Sequence, residues 1–194
     1  MKIVCGLGNP GARYENTRHN AGFLICERVA ARLGVFFTQK KFNSLAALGR
    51  HRDDAVLLLK PQTFMNRSGA AVAPAAHFYQ VDPEDLLAIH DDADLPLGRV
   101  RLKQGGGNAG HKGLISIQEG LGSADFARLR FGIGRPEDPR FALADFVLAD
   151  LGPEERRLLD ARFDLAADAT CCWLADGIDV AMNKFNGLAS GAES

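Results

Sequence analysis

One histidine in this sequence stands where it could act as a general base. His19 lies within residues 16–20 (NTRHN), at or just before the expected start of a helix. The N-terminus of a helix disfavours the imidazolium ion, so the neutral form that can accept a proton is retained near pH 7. A carboxylate bonded to the other ring nitrogen would fix the tautomer and stabilise the charge after proton uptake. The alternative interpretation is a surface or capping histidine.

Carboxylates that could assist His19 follow an apolar strand pattern at residues 86–90. Open α/β sheets place ligands at the carboxyl ends of their strands. Asp91 is the first residue after this predicted strand, and we therefore predict it as the partner of His19. Asp92 and Asp94 follow in the same short run, and we interpret them as solvated loop acids.

Two other kinds of chemistry are open to these residues. The acids and His90 could bind a divalent metal together with His111, since carboxylates and imidazoles are both metal ligands. A turn follows at once in residues 95–98, and no second His/Asp pair has the spacing to complete a coordination shell, so we predict no metal. Covalent catalysis is disfavoured because no Ser or Cys stands in a nucleophile-elbow motif, and Cys5 belongs to a strand that we expect to be buried.

Two glycine-rich segments resemble nucleotide-binding loops without matching them. Residues 6–11 (GLGNPG) fit G-x-G-x-x-G after a predicted strand. Pro10, however, lacks the N–H that a pyrophosphate needs, and the acid about 20 positions on, Glu27, falls inside a helical pattern. Residues 105–113 (GGGNAGHKG) are not a Walker A loop, because a glycine follows Lys112. Their glycines still allow the backbone to approach a phosphate or a sugar closely.

Cationic and carboxamide side chains supply candidate binding groups. Six cations flank the second glycine loop or a neighbouring strand: Arg101, Lys103, Lys112, Arg128, Arg130 and Arg135. They could form a local anion-binding patch, although a solvated cationic strand face is equally consistent with charge alone. Asn66 follows a central strand and could grip a substrate amide as donor and acceptor together, or it could simply begin a helix.

Composition narrows the class of protein. Of the 194 residues, 46% are hydrophobic and 24% are charged, which is typical of a folded globular protein and not of a disordered one. The net charge of −1 excludes a protein coated in basic charge, so a polyanion would need a local patch. The four cysteines show no framework spacing, and neither a secretory signal nor a membrane span is apparent. We therefore expect a soluble cytoplasmic protein with reduced thiols.

The elements that must position these residues alternate between strand and helix patterns. The expected strands cover residues 2–7, 45–49, 55–60, 86–90, 98–104 and 127–133. The expected helices run from 16 or 17 to 33, from 68 to 79, onward from 110, and from 153 to 185 with a possible break at Gly177. This pattern predicts a single α/β domain over residues 1–194, with a mixed, mostly parallel twisted sheet, helices on both faces, and a frayed tail from about 187.

The order of these segments and their amino-acid sequences resemble the bacterial peptidyl-tRNA hydrolase family over nearly the whole chain. The matching blocks are GLGNPG at 6–11, TRHNAGF at 17–23, KP and TFMN at 60–66, SG at 68–69, HDDADLP at 90–96, GGG at 105–107, GH at 110–111 and RLRFGIGRP at 128–136. The resemblance implies hydrolysis of the ester between a peptide and the 3′-terminal ribose of tRNA. It implies no metal or organic cofactor, and we expect a monomer whose partner is peptidyl-tRNA.

The resemblance also implies a role for individual residues. His19 matches the catalytic base and Asp91 the carboxylate that supports it, while Asn9 and Asn66 match the asparagines that hold the peptide. The remaining matches are Tyr14 and Phe64, which line the path of the tRNA terminus and peptide, and Lys103 and Arg130, which clamp tRNA phosphate.

One position departs from the family pattern. The family usually has asparagine after the loop histidine, where this chain has Lys112. A lysine can bind phosphate but cannot accept a hydrogen bond, so the resemblance predicts changed tRNA affinity with the chemistry retained. Some plant relatives bind RNA or protein without hydrolysis, and a non-catalytic binding role is therefore the alternative.

Overall fold

A seven-stranded sheet forms the centre of the computed structural model, which describes residues 1–138 and 140–188. Its strands follow the order β2-β3-β4-β1-β5-β7-β6. The four inner strands β4, β1, β5 and β7 pair in parallel, whereas β2–β3, β3–β4 and β6–β7 are antiparallel. The strands are β1 (Lys2–Gly6), β2 (Gln39–Lys41), β3 (Ser44–His51), β4 (Asp54–Pro61), β5 (Leu86–Asp92), β6 (Val100–Gln104) and β7 (Ala127–Gly132).

The pattern of hydrophobic residues explains which strands lie at the centre of the sheet and which at its edge. Strands β1, β4 and β5 are nearly continuous apolar runs and are almost entirely buried, as parallel strands covered on both faces require. On edge strand β6 the burial alternates, since Val100 and Leu102 are buried and Arg101 is exposed. The predicted mixed sheet with a parallel centre is confirmed.

Helices cover both faces of this sheet, as predicted. Apolar side chains of α1, α5 and α6 share one core cluster, and those of α2 and α3 share the cluster on the other face. None of the helices in the described part of the chain is both long and apolar enough to cross a membrane. The helices are α1 (Ala21–Leu33), α2 (Gly69–Tyr79), α3 (Lys112–Leu121), α4 (Leu143–Leu148), α5 (Pro153–Asp176) and α6 (Ile178–Phe185).

Several element boundaries differ from the sequence-based expectation. The first helix was expected from residue 16 or 17, but a 3₁₀ turn occupies Arg18–Asn20 and the α-helix begins at Ala21. The expected last helix is divided into α5 and α6 because Gly177 adopts φ 84°, a conformation that ends a helix. Strand β2 and helix α4 were not predicted. Most of the expected frayed tail, residues 189–194, lies outside the described residues.

One glycine allows α1 to approach the sheet closely. A Cβ atom at Gly22 would lie 2.4 Å from both the Ile89 carbonyl oxygen and the Leu7 nitrogen. These are backbone atoms of or next to the central strands, so they cannot move aside as a side chain could. The absence of a side chain at Gly22 therefore determines how close the start of α1 comes to the ends of β1 and β5.

Gly22→Ala should destabilise the fold even though alanine is the better helix former. The gain in helix propensity is about 1 kcal/mol, whereas forcing a methyl group against rigid backbone costs about 3 kcal/mol or more. We expect a net loss of about 2 kcal/mol in the free energy of unfolding, measured by urea denaturation. The control is Gly152→Ala, whose Cβ would meet only a Glu155 oxygen at 3.6 Å. Equal stability of the two variants would contradict this account.

Candidate active site

The candidate active site is built around a buried carboxylate at the carboxyl end of β5. Asp91 is 4% exposed, and its two oxygens lie 2.9 and 3.0 Å from Nδ1 of His19. An ionised carboxylate only accepts hydrogen bonds, so the His19 proton sits on Nδ1. Among the described residues none bonds Nε2, which is left as the basic nitrogen. The predicted pairing of His19 with Asp91 is thus present, although Asp91 belongs to the strand and does not follow it.

His19 is held in place by the residue before it. The Arg18 guanidinium contacts both Glu155 carboxylate oxygens at 2.6 and 2.7 Å. It also donates to the carbonyls of Ala149 and Asp150 at 3.3 and 3.1 Å, and it stacks on the Phe146 ring. These contacts fasten the 3₁₀ turn that carries His19 to the segment between α4 and α5.

A second histidine shares the Asp91 carboxylate, and sequence reasoning considered it only as a metal ligand. His111 Nε2 lies 3.1 Å from Asp91 Oδ1, while His111 Nδ1 accepts from the Leu114 backbone N–H at the start of α3. Because Nδ1 accepts, the proton is on Nε2, so His111 donates to Asp91. The sequence feature that could have indicated this role is the position of His111 at the end of the glycine loop, directly before α3.

The same three side chains have the composition of a metal site. The ligand atoms of His19, Asp91 and His111 all lie within 4.8 Å of one another. Imidazole and carboxylate ligands at such spacing suit a divalent transition metal. The metal ligands considered from the sequence were a different set, in which His90 and the neighbouring acids took part. A metal on this trio would replace the proton that His19 shares with Asp91.

Burial and mutual charge set the protonation states. Burial alone would raise the pKa of Asp91, but the charge of His19 and the hydrogen bonds from both histidines outweigh it and lower the pKa well below its usual range. Burial alone would lower the pKa of His19, but the charge and hydrogen bond of Asp91 raise it, against an opposing effect of Lys112. The carboxylate therefore outweighs the depression of the His19 pKa that the helix N-terminus was expected to cause.

His90 is structural. Its Nδ1 donates to the Asp91 carbonyl oxygen at 2.7 Å, and burial together with the charge of His111 lowers the pKa of His90 to about 3. The ring therefore remains neutral through the physiological range and adds no charge beside Asp91.

Asn9 enters the site from the end of β1. Its Oδ1 accepts from the Met65 backbone N–H at 2.8 Å, and its backbone is bonded twice by the Asn20 side chain. Oδ1 is thus occupied, and within residues 1–138 and 140–188 no group accepts from Asn9 Nδ2, which is left as a donor. Asn66 lies on the 3₁₀ turn Met65–Arg67 after β4, and the exposed Phe64 directly precedes that turn.

A cleft of about 480 Å³ joins these groups. Asn9, His19, Asn66 and Asp91 line it on one side, and Lys112 lines it at the start of α3. Helix α4, which was not predicted, supplies an apolar wall of Leu143, Ala144, Val147 and Leu148. The size is typical of a small-molecule or peptide site.

The other predicted site residues lie away from the cleft. Lys103 is on the edge strand β6 and Arg130 on its neighbour β7. Lys103 Nζ donates to the Gly107 carbonyl at 3.2 Å, and Arg130 Nε donates to Asp92 at 2.7 Å. Tyr14 contacts Arg13 and is not among the residues lining the cleft.

Two expectations about charged residues were wrong. Asp92 is not a solvated loop acid, since it is 7% exposed, pairs with Arg130 and accepts the Asp94 backbone N–H. Arg128 is not part of an exposed patch, since it is fully buried, with its guanidinium bonded to the Gly107 carbonyl and stacked on Phe126. Charged and apolar residues alternate along β7, a pattern typical of a strand with one solvent-exposed face, so the sequence did not indicate that β7 is covered on both faces.

Comparison with known proteins identifies the family. The family model for peptidyl-tRNA hydrolase matches residues 3–193. The chain belongs to the peptidyl-tRNA hydrolase family. It is 44% identical to the peptidyl-tRNA hydrolase of Brevibacillus brevis, covering 97% of this chain and 99% of that one, and 46% identical to that of Geobacter sp. strain M21, covering 95% and 97%.

A solved peptidyl-tRNA hydrolase supports the same assignment in three dimensions. The crystal structure of the enzyme from Acinetobacter baumannii matches with a TM-score of 0.90 and 38% identity, covering 98% of this chain and 96% of that one. The family resemblance and the α/β fold class predicted from the sequence are therefore both confirmed.

Histidine NMR titration tests the electrostatics of the site. Because Asp91 stabilises protonated His19, the His19 pKa should lie above about 6.5, the value of a free histidine. Asp91→Asn should move it down, and Lys112→Asn, which removes an opposing cation, should move it up. His90 serves as the internal control and should not titrate between about pH 5 and 8, the range in which an unperturbed histidine does. Titration of His90 near neutrality, or shifts of the same sign in both variants, would refute the assignment.

Proposed function

We propose that this chain hydrolyses the ester between a peptide and the 3′-terminal ribose of tRNA. The observation that carries the proposal is the His19–Asp91 pair, which leaves a basic ring nitrogen in a peptide-sized cleft. Membership of the peptidyl-tRNA hydrolase family supports it independently. We further propose a single domain that acts as a monomer in the cytoplasm, where its tRNA substrate occurs.

His19 acts as the general base in this proposal. Its Nε2 takes a proton from water as the water oxygen attacks the ester carbonyl carbon. Asp91 stabilises the imidazolium formed, which returns the proton to the 3′ oxygen of tRNA when the tetrahedral intermediate collapses. The products are a peptide carboxylic acid and tRNA with a free 3′ hydroxyl.

Asn9 supplies a donor for the charge that develops on the carbonyl oxygen. A fixed donor stabilises the transition state more than the ground state because no reorganisation is needed during reaction. The bond from the Met65 N–H to Asn9 Oδ1 fixes the orientation of the amide and directs Nδ2 away from that bond. The Asn20 contacts immobilise the Asn9 backbone in the same way.

Asn66 helps to distinguish a peptidyl ester from an unblocked aminoacyl ester. Its carboxamide can donate to a peptide carbonyl and accept from a peptide N–H. When the peptide bond is absent, these groups lose their partners and a free ammonium must be desolvated, both of which are unfavourable. Phe64, which lines the same cleft, contacts the peptide in this proposal, and Tyr14 contacts the tRNA terminus.

Cationic side chains other than the His19–Asp91 pair bind the tRNA in this proposal. Lys112, which lines the cleft, binds the phosphates nearest the ester in this proposal. Lys103 and Arg130, on the adjacent strands β6 and β7, bind a more distant phosphate in this proposal. The Arg130 charge is partly offset by Asp92, so Lys103 carries more of the net attraction.

His19→Ala should abolish turnover without abolishing binding. Removing a general base costs about 10²–10⁴ in rate, and the cations that hold tRNA are unaffected. The measurement is release of N-acetyl amino acid from N-acetyl-aminoacyl-tRNA, beside release of amino acid from the unblocked form, with tRNA affinity determined separately. The wild type should hydrolyse only the blocked substrate. Binding of tRNA without hydrolysis by the wild type would support the non-catalytic RNA-binding alternative.

Salt dependence separates the two distant cations. Each lost phosphate contact reduces the slope of log K against log salt by about 0.7–0.9. Lys103→Ala should lower the slope for tRNA by nearly that amount, and Arg130→Ala by less, because Asp92 already compensates its charge. Lys40→Ala is the control, since Lys40 is an exposed cation on β2 at the opposite edge of the sheet. Equal slopes for the Lys103 and Lys40 variants would exclude a phosphate contact at Lys103.

A further inference from the structure

The side chains of His19, Asp91 and His111 converge on one point beside the cleft. Asp91 Oδ1 lies 2.9 Å from His19 Nδ1 and 3.1 Å from His111 Nε2, and one ligand atom from each residue lies within 4.8 Å of the other two. Ligands about 2.1 Å from one metal ion lie roughly 3.0–3.4 Å apart at octahedral or tetrahedral angles. The two hydrogen bonds therefore already have nearly the spacing that a bound metal requires.

The ligand types and their access indicate which ion fits. Two imidazoles and a carboxylate are ligands of zinc in sites that keep a fourth position for water, whereas Mg²⁺ prefers oxygen ligands throughout. His19, Asp91 and His111 all line the cleft of about 480 Å³, so an ion and its water reach them from that side. We therefore take Zn²⁺ as the ion for this set of ligands.

Neighbouring contacts hold the three ligands in place before any ion binds. Asp91 belongs to β5, His111 stands directly before α3, and the contacts of Arg18 fix the turn that carries His19. The neutral ring of His90 packs against the His111 ring in a T-shaped arrangement, with 4.9 Å between the ring centroids. A ligand set that is already positioned loses little conformational freedom on binding.

A metal on this trio would also change which nitrogen of His19 is basic. A ring nitrogen binds a metal through its lone pair and so cannot carry a proton there. The His19 proton moves from Nδ1 to Nε2, and the His111 proton moves from Nε2 to Nδ1, which gives up the long 3.4 Å bond from the Leu114 N–H. The total number of protons on two neutral rings is unchanged. Nε2 of His19 then donates and no longer accepts, so it cannot take a proton from water.

We propose that Zn²⁺ bound by His19 Nδ1, Asp91 and His111 Nε2 reversibly inhibits hydrolysis. The inhibition rests on the proposed hydrolase function, whereas the binding of zinc does not. The ion lies on the Nδ1 side of the His19 ring, opposite the nitrogen that faces the substrate water, so it removes the base without supplying a nucleophile in its place. Lys112 opposes positive charge on His19, and the same repulsion weakens zinc binding.

The first test measures zinc binding without RNA, by competition with a chromophoric chelator. His111→Asn removes one ligand, and asparagine is a favourable residue at the position before a helix but lacks the imidazole that zinc prefers. His77→Asn is the matched control, because His77 is exposed on α2 and lies outside the cleft. Zinc held by the thiols of Cys171 and Cys172 is the same in both variants and cancels in the comparison. Thermal denaturation verifies folding.

We expect His77→Asn to match the wild type and His111→Asn to bind zinc at least about tenfold more weakly, since even the loss of an outer partner of a metal site costs about 10–100-fold in affinity. Lys112→Asn should bind zinc about two- to fivefold more tightly, because a repelling cation is removed. Nitrogen-15 NMR of the wild type should show the His19 proton moving from Nδ1 to Nε2 as zinc is added.

The second test measures hydrolysis of N-acetyl-aminoacyl-tRNA at constant Mg²⁺ while zinc is raised. Wild-type activity should fall over the same zinc concentrations that saturate binding, and EDTA should restore it, whereas added Mg²⁺ should not inhibit. His111→Asn, compared with its own rate without zinc, should need at least about tenfold more zinc for the same fractional loss.

Several results would overturn the proposal. Equal zinc affinity of His111→Asn and His77→Asn would exclude the trio as the site. Saturation of the trio without loss of activity would exclude inhibition, and faster hydrolysis with zinc would mean that the ion activates water instead. Failure of the wild type to hydrolyse the substrate without zinc would overturn the hydrolase function, and with it the inhibition, while the binding measurement would still decide whether the trio holds zinc.

Discussion

The buried Asp91 carboxylate is the interaction on which the cleft depends. Transferring such a charge out of water costs several kcal/mol, and it is tolerated only with well-placed hydrogen bonds. His19 and His111 provide them, and the same bonds fix the tautomer of each ring. His90, kept neutral by burial, bonds the carbonyl and leaves the carboxylate oxygens to the other two. The same hydrogen bonds thus stabilise the buried Asp91 charge and fix the orientation of the His19 ring.

The fold brings these groups together by the way its elements end. Parallel strands β1 and β5 are neighbours, so Asn9 and Asp91 emerge at the same edge of the sheet. The missing side chain of Gly22 lets α1 rest against those strand ends, which brings His19, three residues earlier, within hydrogen-bonding distance of Asp91. The hydrogen bond between His19 and Asp91 therefore needs both the three-residue spacing from His19 to Gly22 and the close approach of α1 to the strand ends.

The sequence predicted the pair His19–Asp91 because each residue adjoins an element with a strong hydrophobic pattern. It did not predict the bond from His111, since a contact across the fold leaves no periodic signal. Helix α4 and strand β2 were missed because six and three residues are too short for a pattern to emerge. Arg128 and Arg130 carry the same charge two positions apart, and only tertiary packing decides that one is buried and the other pairs with Asp92.

Arg18 links His19, the base of the proposed reaction, to the apolar wall of the cleft. Its guanidinium joins the His19 turn to the carboxyl end of α4 and to Glu155 at the start of α5. A displacement of that end of α4 would carry His19 with it and break its alignment with Asp91. Admitting a bulky residue by moving that end of α4 would therefore break the Arg18 contacts or the alignment of His19 with Asp91.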